Sequence, residues 1–190
     1  MMSIDASDIE KDEVSLTRPH ITNCRGWNAL HAAIVRGNLE LVKYLVQNGF
    51  SVSTKTFCAT RIPPFCLALK HLHFHIAYWI AESYAASHDD LSTWLSKQND
   101  ANETTCVMYA AEAGDLEFVQ WLHFTHHLPV VGIRNLRGSS VAIWATQDRS
   151  LPVLKWLIEE LGVPPEDCNS RRHSLLMYSA FDGQLEIMKY

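Results

Sequence analysis

The chain has 190 residues, 47% of them apolar, enough for one domain or one continuous repeat array with a real core. Its formal net charge is −5, Asp5, Asp8, Glu10, Asp12 and Glu13 crowd the N-terminus, and no basic stripe exists, which excludes the electrostatic footprint of a nucleic-acid binder. Five cysteines without a C-x-x-C pair argue against a disulfide framework, and neither a signal peptide nor an apolar run of the ~18 residues a membrane span needs is present. A cytoplasmic location is expected, with the nucleus as the alternative.

Residues 1–21 read as an acidic segment, disordered or loosely capping the first helices. A first block, residues 26–46, runs Gly-Trp-Asn-Ala-Leu-His-Ala-Ala and continues through Gly37 to Leu45. Blocks at 104–122 and 174–190 repeat its pattern, and weaker copies are anchored by Ile76 to Ile80 and by Val153 to Leu157. Between the equivalent positions Gly37, Leu72, Gly114, Arg149 and Gly183 the steps are 35, 42, 35 and 34 residues. A fixed period of this size is the mark of a stacked repeat architecture. The long step carries an insertion around Asp89 to Asn99.

Each copy predicts two helices. The first opens on Asn28, Thr105, Ser140 or Ser174, whose side-chain oxygens can accept from free first-turn N–H groups. In the second copy Pro63-Pro64 does this work, because a proline lacks the N–H that would be orphaned there. Ala33, Ala68, Ala110, Ala145 and Ser179 are small, so neighbouring helices can approach closely. Glycine ends the helix in a left-handed conformation. Glu40, Glu117 and Glu186 then complement the dipole of the second helix, and Pro152 holds their place in the fourth copy. Leu72 and Arg149 stand where glycine is expected. A left-handed backbone would cost each about 1–2 kcal/mol, so those two turns are expected to be reshaped. An aromatic recurs late in the second helix, at Tyr44, Trp79, Trp121, Trp156 and Tyr190, and reads as core.

Gly26, Asn28-Ala29-Leu30-His31, Ala33, Gly37, Glu40, Val42, Leu45 and Gly49 together resemble the ankyrin repeat family. The resemblance covers the chain from about Thr22 onward. It implies an all-α solenoid of about five helix-turn-helix repeats, at 22–56, 57–99 with the insertion, 100–134, 135–169 and a truncated 170–190. The last repeat stops at Tyr190 before the leucine matching Leu45, so further repeats are expected in a longer parent chain. Projecting loops would lie at 50–61, 128–137 and 163–172.

The family binds protein partners through loop tips and the exposed face of its first helices. Transferred by alignment, those positions are Arg25, Trp27, Val35 and Arg36 in the first copy, and Ile62, Lys70 and His71 in the second. Thr104 and Glu112 stand there in the third, Arg137, Ser139, Gln147 and Asp148 in the fourth, and Arg171, His173 and Asp182 in the fifth. Trp27 is the sharpest candidate, since tryptophan is enriched among interface hot spots. The function expected is a non-enzymatic protein-interaction scaffold with no cofactor, metal, nucleic acid or membrane. The alternatives are a structural spacer within a longer solenoid and a histidine-based metal-binding protein. For the latter, His71, His73 and His75 straddle an inter-helix turn, and His123, His126 and His127 lie at a helix end; neither trio carries a zinc-type spacing. Cys106 opens a helix that packs inward, so its expected role is packing rather than nucleophilic attack.

Overall fold

The computed structural model of the protein describes residues 22–23, 26–147 and 150–190. The segment 1–21 and the turn residue Arg149 therefore lie outside the described residues. Among the described residues α-helices succeed one another in pairs: α1 (Ala29–Val35) with α2 (Leu39–Gln47), then α3 (Pro64–Lys70) with α4 (Phe74–Ala85). A short α5 (Leu91–Ser96) occupies the insertion. Next come α6 (Cys106–Ala113) and α7 (Leu116–Gln120), which runs on as a π-helical turn over Trp121–Thr125. The pairs α8 (Val141–Gln147) with α9 (Leu151–Glu159), and α10 (Leu175–Phe181) with α11 (Leu185–Lys189), complete the order.

The first helices start where their caps dictate. Asn28 accepts from the His31 N–H at 3.1 Å while the His31 ring nitrogen Nδ1 accepts from the Asn28 N–H at 3.1 Å, a reciprocal box. Thr105, Ser140 and Ser174 accept from the N–H groups of Met108, Ile143 and Met177. Each such cap is worth about 1 kcal/mol. Pro63 and Pro64 open α3 with no side-chain bond. Asn38 and Asp115 cap α2 and α7 in the same manner.

Gly37, Gly114 and Gly183 take φ of +71°, +81° and +64° between the helices of their pairs. The reshaped turn expected at Leu72 does not occur. Leu72 itself adopts φ +61°, and the His73 N–H reaches the Ala68 carbonyl at 2.9 Å as the Asn38 N–H reaches the Ala33 carbonyl at 3.1 Å. Stacking of α3 and α4 against their neighbours over-determines the turn, so the backbone carries the strain instead of changing shape.

The first helices α1, α3, α6, α8 and α10 form one continuous inner row, each packed on the next. Ala33, Ala68, Ala110, Ala145 and Ser179 are all 0–2% exposed, which brings the helix backbones together; the Ser179 hydroxyl donates to the Leu175 carbonyl at 2.8 Å. A single apolar core runs from Leu30 to Ile187, and Phe65 and Phe118 are wholly enclosed in it. Complete burial of such a side chain contributes roughly 1.5–3 kcal/mol. Neighbours matter more than the pattern within one repeat. Leu30, Phe65, Val107 and Ala142 are sealed by the following helix pair at 0–1% exposure, whereas Leu176 at the same register is 58% exposed.

The aromatic series departs from a uniform core role. Trp156 is buried, with His123 and Phe124 against it, but Tyr44 and Tyr190 are exposed and Trp79 and Trp121 are half-buried. The register lies at the rim of the second-helix stripe, so it is covered only where an adjacent helix brings bulk. Cys106 is buried with its thiol on the Leu95 carbonyl, a packing role.

Candidate functional site

Five loop tips stand in a row at one end of the helix pairs, and one local device builds them all. The carbonyls of Asn23, Cys58, Asp100, Asn135 and Asn169 accept from the N–H three residues on, at 2.8–3.1 Å. The donors are Gly26, Arg61, Glu103, Gly138 and Arg172, each in the left-handed region with φ between +49° and +72°. The side chain of the turn's first residue braces the turn from inside. Asp100 Oδ1 accepts from the Asn102 and Thr104 N–H groups, Asn135 Oδ1 from those of Arg137 and Ser139, and Asn169 Oδ1 from those of Arg171 and His173. This is the ordinary capacity of short Asx side chains to bond their own backbone.

Successive tips are sewn together by backbone bonds. The Phe57 N–H reaches the Gly26 carbonyl, Ala101 reaches Thr60, and Leu136 reaches Asn102, each at 2.8 Å; Ser170 reaches Arg137 at 3.1 Å. Arg134 reinforces the last junction, donating to the Gly138 and Cys168 carbonyls and pairing with Asp167. Asp167 also accepts from the Ser140 hydroxyl. The edge is therefore a fixed ladder that sets the tips at regular intervals beside the ends of the inner helices.

The aligned candidate residues fall into three groups. Trp27, Lys70 and His71 come together around a cleft of about 330 Å³ between the first two repeats, with Cys58 and Ile62 in its walls. Arg137, Arg171 and His173 come together around a second cleft, of about 430 Å³, between the last two tips. Val35, Glu112 and Gln147 end their inner helices half-buried, and Arg36 and Asp182 are exposed beside them. Arg25 and Asp148 lie outside the described residues. Ile62, Thr104 and Ser139 correct the alignment-based expectation: they share the register of Trp27 but are only 1–6% exposed. A side chain there points back under the tip, and only larger ones, such as Trp27 and His173, emerge in part.

The first cleft has its own electrostatics. Burial lowers the His71 pKa below its ordinary value, with the neighbouring His73 and Lys70 adding to the effect. Cys58 holds the place that asparagine or aspartate holds in other tips. Partial burial pushes its thiol up, but the Thr56 and Thr60 hydroxyls, 3.2 and 3.0 Å from the sulfur, and the Thr60 and Arg61 backbone outweigh this and bring it to about 7. No reading of motifs singled out Cys58, because its environment comes from the turn. The brace residues were missed as well, although the recurrence of Asn-Cys-Arg-Gly at 23–26 and Asn-Leu-Arg-Gly at 135–138 in register could have marked two of the tips.

Of the two histidine trios, His73, His123 and His126 are engaged in structural hydrogen bonds. His73 Nε2 lies 3.2 Å from the Val35 carbonyl oxygen, and His123 Nδ1 lies 3.0 Å from that of Leu128. His126 Nδ1 meets the Ser92 hydroxyl at 3.2 Å. Among the described residues no three histidine, cysteine or carboxylate side chains gather as a metal site would require. Also among them, no helix is long and apolar enough to cross a membrane.

Comparison with known proteins agrees with this architecture. A search of curated proteins gave no match. A family model described as ankyrin repeats, in three copies, matches residues 13–91 and 107–190. The unmatched stretch falls on α5 and the third loop tip, where the repeat spacing is longest. With capped helix pairs, braced tips and a family match over most of its length, the chain belongs to the ankyrin repeat family.

Proposed function

We propose that this chain is a protein-interaction scaffold that holds a protein partner against the loop tips and the concave face of its inner helices, without catalysis of its own. Ankyrin repeats in general serve as protein–protein interaction modules. The observation that carries the reading is the convergence of Trp27 with Lys70 and His71, and of Arg137 with Arg171 and His173, in clefts that each span two repeats. A surface assembled across repeats is rigid, because tip-to-tip hydrogen bonds hold it before any partner arrives, and rigidity lowers the ordering cost of binding. Trp27 would act as an aromatic anchor at one end.

The reading is tested by placing a photo-cross-linking amino acid either at Lys70, in the first cleft, or at Lys155, exposed on an outer helix. Cross-linked partner is expected from the first position only, and Trp27→Ala is expected to weaken its capture at least ten-fold. Equal cross-linking from both positions, or none from Lys70, would discard the concave-face reading.

A further inference from the structure

The cleft between the fourth and fifth tips differs from the others in charge. Four arginines, Arg134, Arg137, Arg171 and Arg172, belong to these two tips in a chain whose overall charge is −5. Arg134 is committed to Asp167, and Asp167 is also held by Ser140, so that carboxylate is fully engaged. Among the described residues no ion pair involves Arg137, Arg171 or Arg172, and all three side chains are exposed. Arg137 and Arg171, on consecutive tips, both line the cleft, together with Ser170, His173 and Tyr178.

The third tip shows what is missing. There Tyr109 donates its hydroxyl proton to the Asp100 carboxylate at 2.9 Å, so an internal anion satisfies the phenol. At the fifth tip the equivalent brace is the neutral Asn169, whose amide donates to the Tyr178 oxygen at 2.9 Å. The Tyr178 hydroxyl therefore accepts here, where the Tyr109 hydroxyl donates, and its proton is not committed to the brace. Two guanidiniums, a phenol donor and an imidazole surround a space several times larger than one carboxylate, with no internal carboxylate in its lining. Guanidinium forks bind carboxylates through paired, charge-assisted bonds, and they do so best when preorganised.

We propose that this cleft is a docking site for an acidic segment of a protein partner, with Arg137 and Arg171 gripping successive carboxylates and Tyr178 donating to one of them. The proposal rests on the scaffold reading and specifies the partner chemistry at one end of the surface. A protein segment is favoured over nucleic acid because the positive charge is confined to two tips rather than drawn out in a stripe.

The test uses the full chain and a fluorescein-labelled peptide of alternating aspartate and glutamate, read by fluorescence anisotropy at low and moderate salt. Saturable binding that weakens with salt is expected. Arg137→Glu with Arg171→Glu is expected to weaken it at least ten-fold, and Tyr178→Phe about three-fold, with helical circular dichroism unchanged. Lys97→Glu with Lys155→Glu imposes the same change of net charge on exposed outer positions and is expected to leave binding as it was. Absence of binding, an equal loss in the outer-face variant, or tighter binding of a polyuridine oligonucleotide of matched charge would overturn the proposal. If the arginine variant is silent while Trp27→Ala still releases the cross-linked partner, only the acidic-segment site falls and the scaffold reading stands; if both are silent, the scaffold reading falls as well.

Discussion

The tip ladder makes a quantitative demand on Gly138. Its φ is +72°, and a Cβ there would stand 2.7 Å from the Ser170 nitrogen and 2.2 Å from its Oγ. Gly138→Ala therefore combines two penalties. A left-handed alanine costs about 1–2 kcal/mol, of which about 0.4–1 is offset by the lower entropy of the unfolded chain. The clash also pushes the fifth tip away from the fourth and strains the 3.1 Å bond from the Ser170 N–H to the Arg137 carbonyl, worth about 1 kcal/mol. The expected loss is about 2–3 kcal/mol. Gly162 supplies the control, because its φ is +69° but a Cβ there meets nothing within 4 Å. Gly162→Ala should show the backbone penalty alone, about 0.5–1 kcal/mol. Urea unfolding of both variants, tracked by circular dichroism and tryptophan fluorescence, measures the difference, and hydrogen exchange over residues 170–189 should rise more in Gly138→Ala. Equal losses in the two variants would refute the idea that tip-to-tip contact stabilises the stack.

Perturbing three further residues has expected outcomes. His31→Leu leaves the Asn28 N–H and the Thr54 carbonyl without the ring that joins them at 3.1 and 2.8 Å, so urea unfolding should show a loss of about 2–4 kcal/mol. Burial, opposed in part by the Thr54 bond, lowers the His31 pKa, so its contribution is complete above the ordinary histidine value of about 6.5 and is lost as pH falls through the lower folded value; the acid-side slope of stability should be shallower in His31→Leu. Alkylation by iodoacetamide, mapped by peptide mass spectrometry against pH, should show a midpoint near 7 for Cys58, whereas buried Cys66 and Cys106, the latter pushed up to about 12, should react only on unfolding. The Cys58 pKa is depressed, so its stabilisation is present above the ordinary thiol range and disappears as pH drops through about 7, a trend that Cys58→Ser should abolish in thermal unfolding. Asn135→Ala removes the acceptor of two tip N–H groups and should cost about 2 kcal/mol by urea unfolding, with faster exchange at Arg137 and Ser139.

The residue order alone determined where most of the helices start and where three of the inner helices end. Asn28, Thr105, Ser140 and Ser174 start helices through bonds three residues long, and Gly37, Gly114 and Gly183 end them through their own backbone freedom. A period of about 35 residues, with its one long step, then fixed the stacked architecture. What lay beyond the sequence were outcomes set by the adjacent repeat. Leu72 keeps a left-handed turn because helices on both sides hold it; Tyr44 is exposed and Trp156 is buried at one register; Thr104 and Ser139 tuck under their tips where Trp27 does not. Arg137 meets Arg171, and Trp27 meets His71, only after whole repeats have stacked and their tips have joined. Local hydrogen bonding is readable from neighbours in the chain. Burial and charge convergence depend on side chains a full repeat away, and only the assembled stack decides them.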